Sequence, residues 1–323
     1  MINSPRSKLL DTPVLLLIFN RPETTFEVFD AIREARPKAL FISADGPRKD
    51  RVDDLVKCDA ARSIVNKVDW DCDLKVHFQD QNLGCGRGPA NGIAWFFQHV
   101  EEGIILEDDC LPAPGLFPFC SELLKRFRHD NRVMEIGATN FIDDICRNDE
   151  YSYYFSNHSR TWGWATWRRA WQLYDYTISA YQDEAIKSFL KRCFNSSLEY
   201  AHFKRIFDET FEKNDQISWW DYQWEFARRI NLGLSIVSKT NLIRNIGLGS
   251  HATHTLNANG IGAGLKWGEM RFPLKHPVFI SANKVRDDYY FRRTFTTLKS
   301  RIKANLITVY DMVVKPMSFK SDG

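Results

Sequence analysis

The chain has 323 residues, of which 44% are hydrophobic and 26% charged, an ordinary globular mix that can bury a sizeable core in one large domain or two modest ones. A formal net charge of +3 argues by itself neither for nor against nucleic acid, and no nucleic-acid partner is expected. With 10 Trp, 11 Tyr and 23 Phe, the composition leans toward carbohydrate, because aromatic faces stack on sugar rings, although most of these rings must serve the core.

In chain order, the first half alternates apolar runs with helical patterns. Residues 14–19, 39–43, 74–78 and 103–106 read as strands, and helical spacing follows at 22–36, 51–68, 90–100 and 116–127. Strands that are apolar on both faces and alternate with helices imply a parallel sheet covered on both sides. The second half is less regular. It holds an aromatic segment at 161–171, helical patterns near 184–194 and 200–212, a second aromatic cluster at 219–224, and a Gly-rich stretch at 246–265 that reads as a mobile loop. Cys58, Cys72, Cys85, Cys110, Cys120, Cys146 and Cys193 are odd in number and lack paired short spacing, which favours buried free thiols in a reducing compartment over disulfides or zinc. The apolar run at 14–19 is too short for a signal sequence or a membrane span. A cytoplasmic protein, soluble or peripheral at the inner face of a membrane, is the expectation.

In open α/β sheets, ligands bind beyond the carboxyl ends of the strands. Here those ends deliver Asn20-Arg21, Asp45-Gly46-Pro47, Asn82-Leu83-Gly84 and Glu107-Asp108-Asp109. The acidic triplet is the sharpest signal. Adjacent carboxylates repel one another unless a cation is present, and such oxygen ligands suit Mg²⁺ or Mn²⁺ completed by water and phosphate. A solvated acidic turn is the alternative. The glycines of residues 84–88 leave N–H groups exposed at a helix start, where an anion is favoured and Arg87 could neutralise a diphosphate; a plain strand-to-helix turn serves as well.

These motifs together resemble the GT-A glycosyltransferases, and among them the N-acetylglucosaminyltransferase I-like family, in which Glu-Asp-Asp replaces the commoner Asp-x-Asp after the same strand. The likeness extends to residues 14–21, to Ile42-Ser43-Ala44-Asp45, to Trp162-Gly163-Trp164, to Trp220-Asp221 and to residues 244–249. It spans roughly residues 12–255. The fold it implies is α/β, Rossmann-like, with a mostly parallel sheet. It divides the chain into a catalytic domain at residues 1–262, with a donor half at about 12–140 and an acceptor half at about 141–262, and a basic, aromatic extension at 263–323.

The resemblance also implies roles. Asp109 matches the direct ligand of Mn²⁺ or Mg²⁺, Asp108 a residue beside metal and ribose, and Glu107 a support of the donor sugar. Arg21 matches a nucleotide-contacting arginine and Asp45 a uracil-binding aspartate, so a UDP-sugar is the expected donor. Asp221 matches the catalytic base, which in an inverting transferase takes the acceptor hydroxyl proton, and tryptophan walls would raise its pKa. Two residues rather than one separate Asp221 from Trp224, so Glu225 is a second candidate. Trp162, Gly163 and Trp164, with Trp167, are expected to wall the sugar or acceptor. His254, with His251, lies in the Gly-rich stretch that would close over the donor. The acceptor would be a glycan or a lipid-linked saccharide, and the basic extension could rest on an anionic membrane surface or pack back on the domain. Two other classes compete: a sugar nucleotidyltransferase, which would carry a Gly-rich signature with Arg and Lys at the N-terminus, and a non-catalytic carbohydrate-binding protein.

Overall fold

The computed structural model describes residues 9–247, 262 and 264–296. The first half runs β1 (Val14–Ile18), α1 (Pro22–Ala35), β2 (Ala39–Ala44), α2 (Asp54–Arg62), β3 (Asp73–Phe78), α3 (Gly84–His99), β4 (Glu102–Glu107), β5 (Cys110–Pro112) and α4 (Leu116–Phe127). The second half adds β6 (Val133–Gly137), the single turn α5 (Asp143–Cys146), β7 (Tyr153–Ser156), β8 (Trp164–Trp167) and the single turn α6 (Arg168–Trp171). It continues with α7 (Glu184–Arg192), α8 (Ser197–Lys213), α9 (Asp221–Ile230), β9 (Leu234–Ser238), β10 (Ile243–Asn245) and α10 (Lys284–Phe295).

Local sequence explains the elements that matter for the site. All five residues of β1 are buried, and its side chains alternate between two apolar layers. Val14, Leu16 and Ile18 join one layer, Leu15 and Leu17 the other. A strand covered on both faces must be apolar throughout. Helix α1 starts at Pro22, whose fixed φ suits a first helical position, and buries Thr25, Val28, Phe29 and Ile32 on one stripe. The amide and hydroxyl of Thr25 both donate to the Arg21 carbonyl, at 3.0 and 2.7 Å. This anchors Arg21 at the strand-to-helix turn.

The main sheet has eight strands in the order β3-β2-β1-β4-β8-β6-β9-β7. β1, β2, β3 and β4 pair in parallel, as do β6 and β9, while β8 and β7 run antiparallel to their neighbours. The sheet is therefore mostly parallel, flanked by helices, and the α/β class is as expected; its mixed character is not. β8 is the reason. It leaves the aromatic segment and inserts between β4 and β6, so strands from both expected halves share one sheet.

Chain order places the site. From β1 the chain winds outward to β2 and β3, then returns to lay β4 on the other side of β1. The strand order reverses between β1 and β4, and in open α/β sheets ligands sit beyond the carboxyl ends of the strands at such a switch point. Arg21 follows β1, and Glu107-Asp108-Asp109 follow or end β4. A second, two-stranded sheet pairs β5 with β10, and the amide of Ile246 donates to the Asp109 carbonyl at 2.8 Å.

The described part of the basic extension packs back on the domain. Asp287 of α10 accepts from Ser156 Oγ at 2.6 Å and from the Asn157 amide at 2.9 Å, while Tyr290 and Phe291 are buried. Residues 297–323 lie outside the described residues. Among the described residues no helix is long and apolar enough to cross a membrane.

Candidate active site

Arg21 and the acidic triplet meet at the switch point. Arg21 Nη1 donates to Asp109 Oδ2 at 2.7 Å and to Asp108 Oδ1 at 3.3 Å, while Asp108 Oδ2 accepts the Phe19 amide at 3.1 Å. One guanidinium thus answers three carboxylates. Burial, then the charge of Asp109, pushes Asp108 up to about 7, against the opposing pull of Arg21. Glu107 is raised well above the ordinary range by burial, then by Asp109, Asp108 and Asp221. These carboxylates are short of positive charge, which is the condition a bound cation relieves. Among the described residues, no three His, Cys, Asp or Glu side chains are grouped so that they could hold a metal by themselves. The donor set fits a hard divalent cation that takes one or two protein carboxylates and completes its shell with phosphate and water.

The chain passes directly over this cluster at Gly247. A Cβ there would press on the Asp109 carboxylate and on Arg21 Nη1, so glycine is what lets the backbone approach so closely. His251 and His254, expected to close on the donor, lie outside the described residues.

Asp221 is the first residue of α9 and is half-buried. It lines a cavity of about 380 Å³ together with Trp162, Arg160, Tyr222 and Tyr290. Its negative charge also reaches Glu107 and raises it, so the cavity and the acidic cluster are electrostatic neighbours. The second candidate base is a correction. Glu225 is buried and committed, accepting from Arg229 Nε at 2.7 Å, Arg228 Nη2 at 2.9 Å and the Ser159 amide at 2.9 Å. Burial alone would raise its pKa, but Arg229 and Arg228 overcome this and hold it below the usual carboxylate value.

Packing bears on two further expected residues. Asp45 was expected to meet uracil, yet both its oxygens are occupied. Oδ1 accepts the amides of Gly46 and Leu83, each at 2.8 Å, while Oδ2 accepts the Gly84 amide at 3.0 Å and Asn82 Nδ2 at 2.9 Å. A carboxylate offers about four lone-pair sites, so Asp45 staples the end of β2 to the turn before α3. Trp164 was expected on a sugar-facing wall, but it is fully buried, with ring centroids of Trp220 and Trp224 each 5.7 Å away. Trp167 is buried too and donates to the Leu124 carbonyl at 3.2 Å. Three positions apart on β8, they point to opposite faces, Trp167 into one apolar layer and Trp164 into the other.

Trp162 is the aromatic that stays half-buried, its ring edge-on to Phe141 at 5.3 Å. Gly163 has φ +61°, and a Cβ on it would strike Ile243; it serves the close approach of β8 to β10. Arg87 lies in the first turn of α3 with its guanidinium 4.5 Å from the Tyr176 ring centroid.

Arg160 was missed. Its side chain is 2% exposed, lines the Asp221 cavity and stacks on Tyr290. A lone arginine in Ser159-Arg160-Thr161 has no periodic signal; only the fold brings it beside Asp221.

No protein-family model matches the chain, and no curated protein does. Solved structures do. An inositol-1-phosphate CTP transferase from T. maritima is 10% identical over 71% of this chain and 85% of that one, with a TM-score of 0.37. A 4-diphosphocytidyl-2C-methyl-D-erythritol synthase from Anaerococcus prevotii is 9% identical over 61% and 84%, with a TM-score of 0.30. The bifunctional glycosyltransferase WbbM is 10% identical over 70% of this chain and 38% of that one, with a TM-score of 0.32. At such identities and scores these likenesses carry no argument about activity or substrate.

Proposed function

We propose that the protein is a divalent-metal-dependent glycosyltransferase that moves a sugar from a nucleotide-sugar, with UDP-sugars as the first candidates, to a hydroxyl of a glycan or lipid-linked saccharide, with inversion. The observation that carries this reading is the carboxylate cluster at the topological switch point with Arg21 as its counter-ion, with Asp221, in the wall of a separate cavity, close enough for its charge to act on Glu107.

In this reading Asp109 and Asp108 hold Mn²⁺ or Mg²⁺, which when bound supplies positive charge to the leaving diphosphate. Arg21, already the counter-ion of both aspartates, adds a guanidinium fork suited to phosphate oxygens. Glu107 faces both the cluster and Asp221, a position suited to hydroxyls of the donor sugar. Asp221 accepts the proton of the acceptor hydroxyl as that oxygen attacks the sugar. Trp162 bounds the same cavity and offers a ring face or edge to a saccharide. No role at uracil is assigned to Asp45, whose oxygens are taken up within the fold.

The test is turnover of a panel of nucleotide-sugars with Mn²⁺, with wild type and with Asp221→Asn. Release of nucleoside diphosphate from one donor, reduced about 100-fold or more in Asp221→Asn, supports the reading. Formation of pyrophosphate from a nucleoside triphosphate and a sugar 1-phosphate, with no transfer from any nucleotide-sugar, would replace it with a nucleotidyltransferase.

A further inference from the structure

We propose that the cavity beside Asp221 recognises an anionic group, a carboxylate or a phosphate, on the acceptor saccharide, and that Arg160 is the residue that reads it. The inference rests on Asp221 marking the transfer site, and it adds a substrate class that the site reading alone does not give.

Arg160 is 2% exposed, yet its head is incompletely satisfied. Its amide donates to Glu135 Oε1 at 2.6 Å and its Nη1 donates to the Ser159 carbonyl at 2.7 Å. Nε and Nη2, the two nitrogens on one edge of the guanidinium, have no hydrogen-bond partner among the described residues. A buried cation left without an acceptor carries the full cost of desolvation.

The neighbouring carboxylates do not supply one. Glu225 lines the same cavity but spends its oxygens on Arg228, Arg229 and the Ser159 amide. Asp287 is held by Ser156 Oγ and the Asn157 amide. Glu135 is filled by Ser159, Ser235, Trp224 and the Arg160 amide.

The head is nevertheless held firmly. Its Cζ stands 3.4 Å from the Tyr290 ring centroid, while the Nε and Nη2 edge of the fork is withdrawn from solvent and unpartnered among the described residues. On the other side, a Cβ at Gly137 would collide with the Arg160 stem. Glycine there is what allows a long side chain to run beneath β6. Two parallel N–H groups on a pre-aimed planar edge match the two oxygens of a carboxylate or phosphate. The cavity that Arg160 lines is also bounded by Trp162 and Asp221, where an acceptor sugar would lie, so an anion reaches the fork edge by displacing the side chains that cover it. Because the Asp221 carboxylate shares the cavity, the anionic group must sit at the Arg160 end, with the reacting hydroxyl at the Asp221 end.

The experiment is calorimetric titration of the full chain, with UDP and Mn²⁺ present, using methyl β-D-glucuronide, glucose 6-phosphate and neutral methyl β-D-glucoside as probes. At least one charged probe is expected to bind about tenfold or more tightly than the glucoside, and whichever charged probe wins separates carboxylate from phosphate. Arg160→Gln should abolish that advantage while leaving UDP affinity unchanged, and Arg160→Lys should keep only part of it. Equal affinity for charged and neutral probes in wild type, binding of neither charged probe, or a preference that survives in Arg160→Gln would each overturn the proposal. If Arg160→Gln does not fold, the wild-type comparison and Arg160→Lys decide it. Loss of UDP binding with the charge preference intact would instead remove the glycosyltransferase reading and leave the anion site standing.

Discussion

Two groups of acidic side chains sit within one fold, and their surroundings differ in charge balance. Glu135, Glu199 and Glu225 lie between β6, α8 and α9 among Arg228 and Arg229, and each of these carboxylates accepts at least two hydrogen bonds. At the end of β4, Asp108 and Asp109 share Arg21 alone as an ion-pair partner, and Glu107 has none, among the described residues. Glu135, Glu199 and Glu225 are buried, whereas Glu107 and Asp109 are half-buried beside the buried Asp108, so burial does not explain why the second group is the one left short of positive charge. What separates the groups is compensation. A buried, balanced network holds a frame together, whereas buried carboxylates left short of positive charge cost stability that only a ligand or cation returns.

The largest expected effect breaks the balanced side. Arg229→Met removes the partner of both Glu225 and Glu199 and should cost about 3–5 kcal/mol, read by denaturant unfolding. A loss under about 1 kcal/mol would mean the network is not what braces α9. On the other side, Asp109→Asn should lower donor turnover by about 100-fold or more while changing unfolding free energy far less than Arg229→Met does. Equal damage to folding by both variants would erase the distinction between the clusters.

A smaller effect is expected at Asp45, where four donors converge. Asp45→Ala should destabilise by about 1–3 kcal/mol through orphaned N–H groups, with UDP affinity nearly unchanged in calorimetry. A collapse of UDP binding in a folded Asp45→Ala would restore the uracil role.

A further effect appears only in acid. Burial, with a lesser contribution from Arg205, lowers His202 to about 4, whereas an unfolded histidine titrates near about 6.5. Between these values the unfolded chain binds the proton and the folded one does not, so this group's contribution is present above about 6.5 and is lost as pH falls through about 4. Comparing wild type with His202→Phe over that window isolates it; parallel stability profiles would contradict the assignment. His202 packs between Phe203, Phe291 and Phe295, so the test also reports on how α10 docks.

The first half of the sheet was legible because β1, β2 and β4 are buried, largely apolar runs with helices between them, and the edge strand β3, though part-exposed, keeps apolar residues at alternate positions 74, 76 and 78. β1, β2, β3 and β4 all fall where residues 14–19, 39–43, 74–78 and 103–106 announce them. The second half was not. β6 carries Glu135 in its centre and β8 is a Trp-Ala-Thr-Trp segment, so neither reads as a plain apolar strand, and the pairing of β8 with β4 is set by contacts far apart in sequence. The site divides the same way. Three adjacent carboxylates after a strand are visible in one dimension, but the saturation of Asp45, the burial of Trp164 and the unpartnered edge of Arg160 depend on the arrangement of distant elements.

The most direct test is calorimetric titration of UDP into the protein with and without Mn²⁺, repeated on Asp109→Ala. The account predicts binding that requires Mn²⁺ and is lost in folded Asp109→Ala. UDP binding that ignores both the metal and the substitution, or no binding to wild type under either condition, would contradict the assignment of the switch-point cluster as the nucleotide-sugar site.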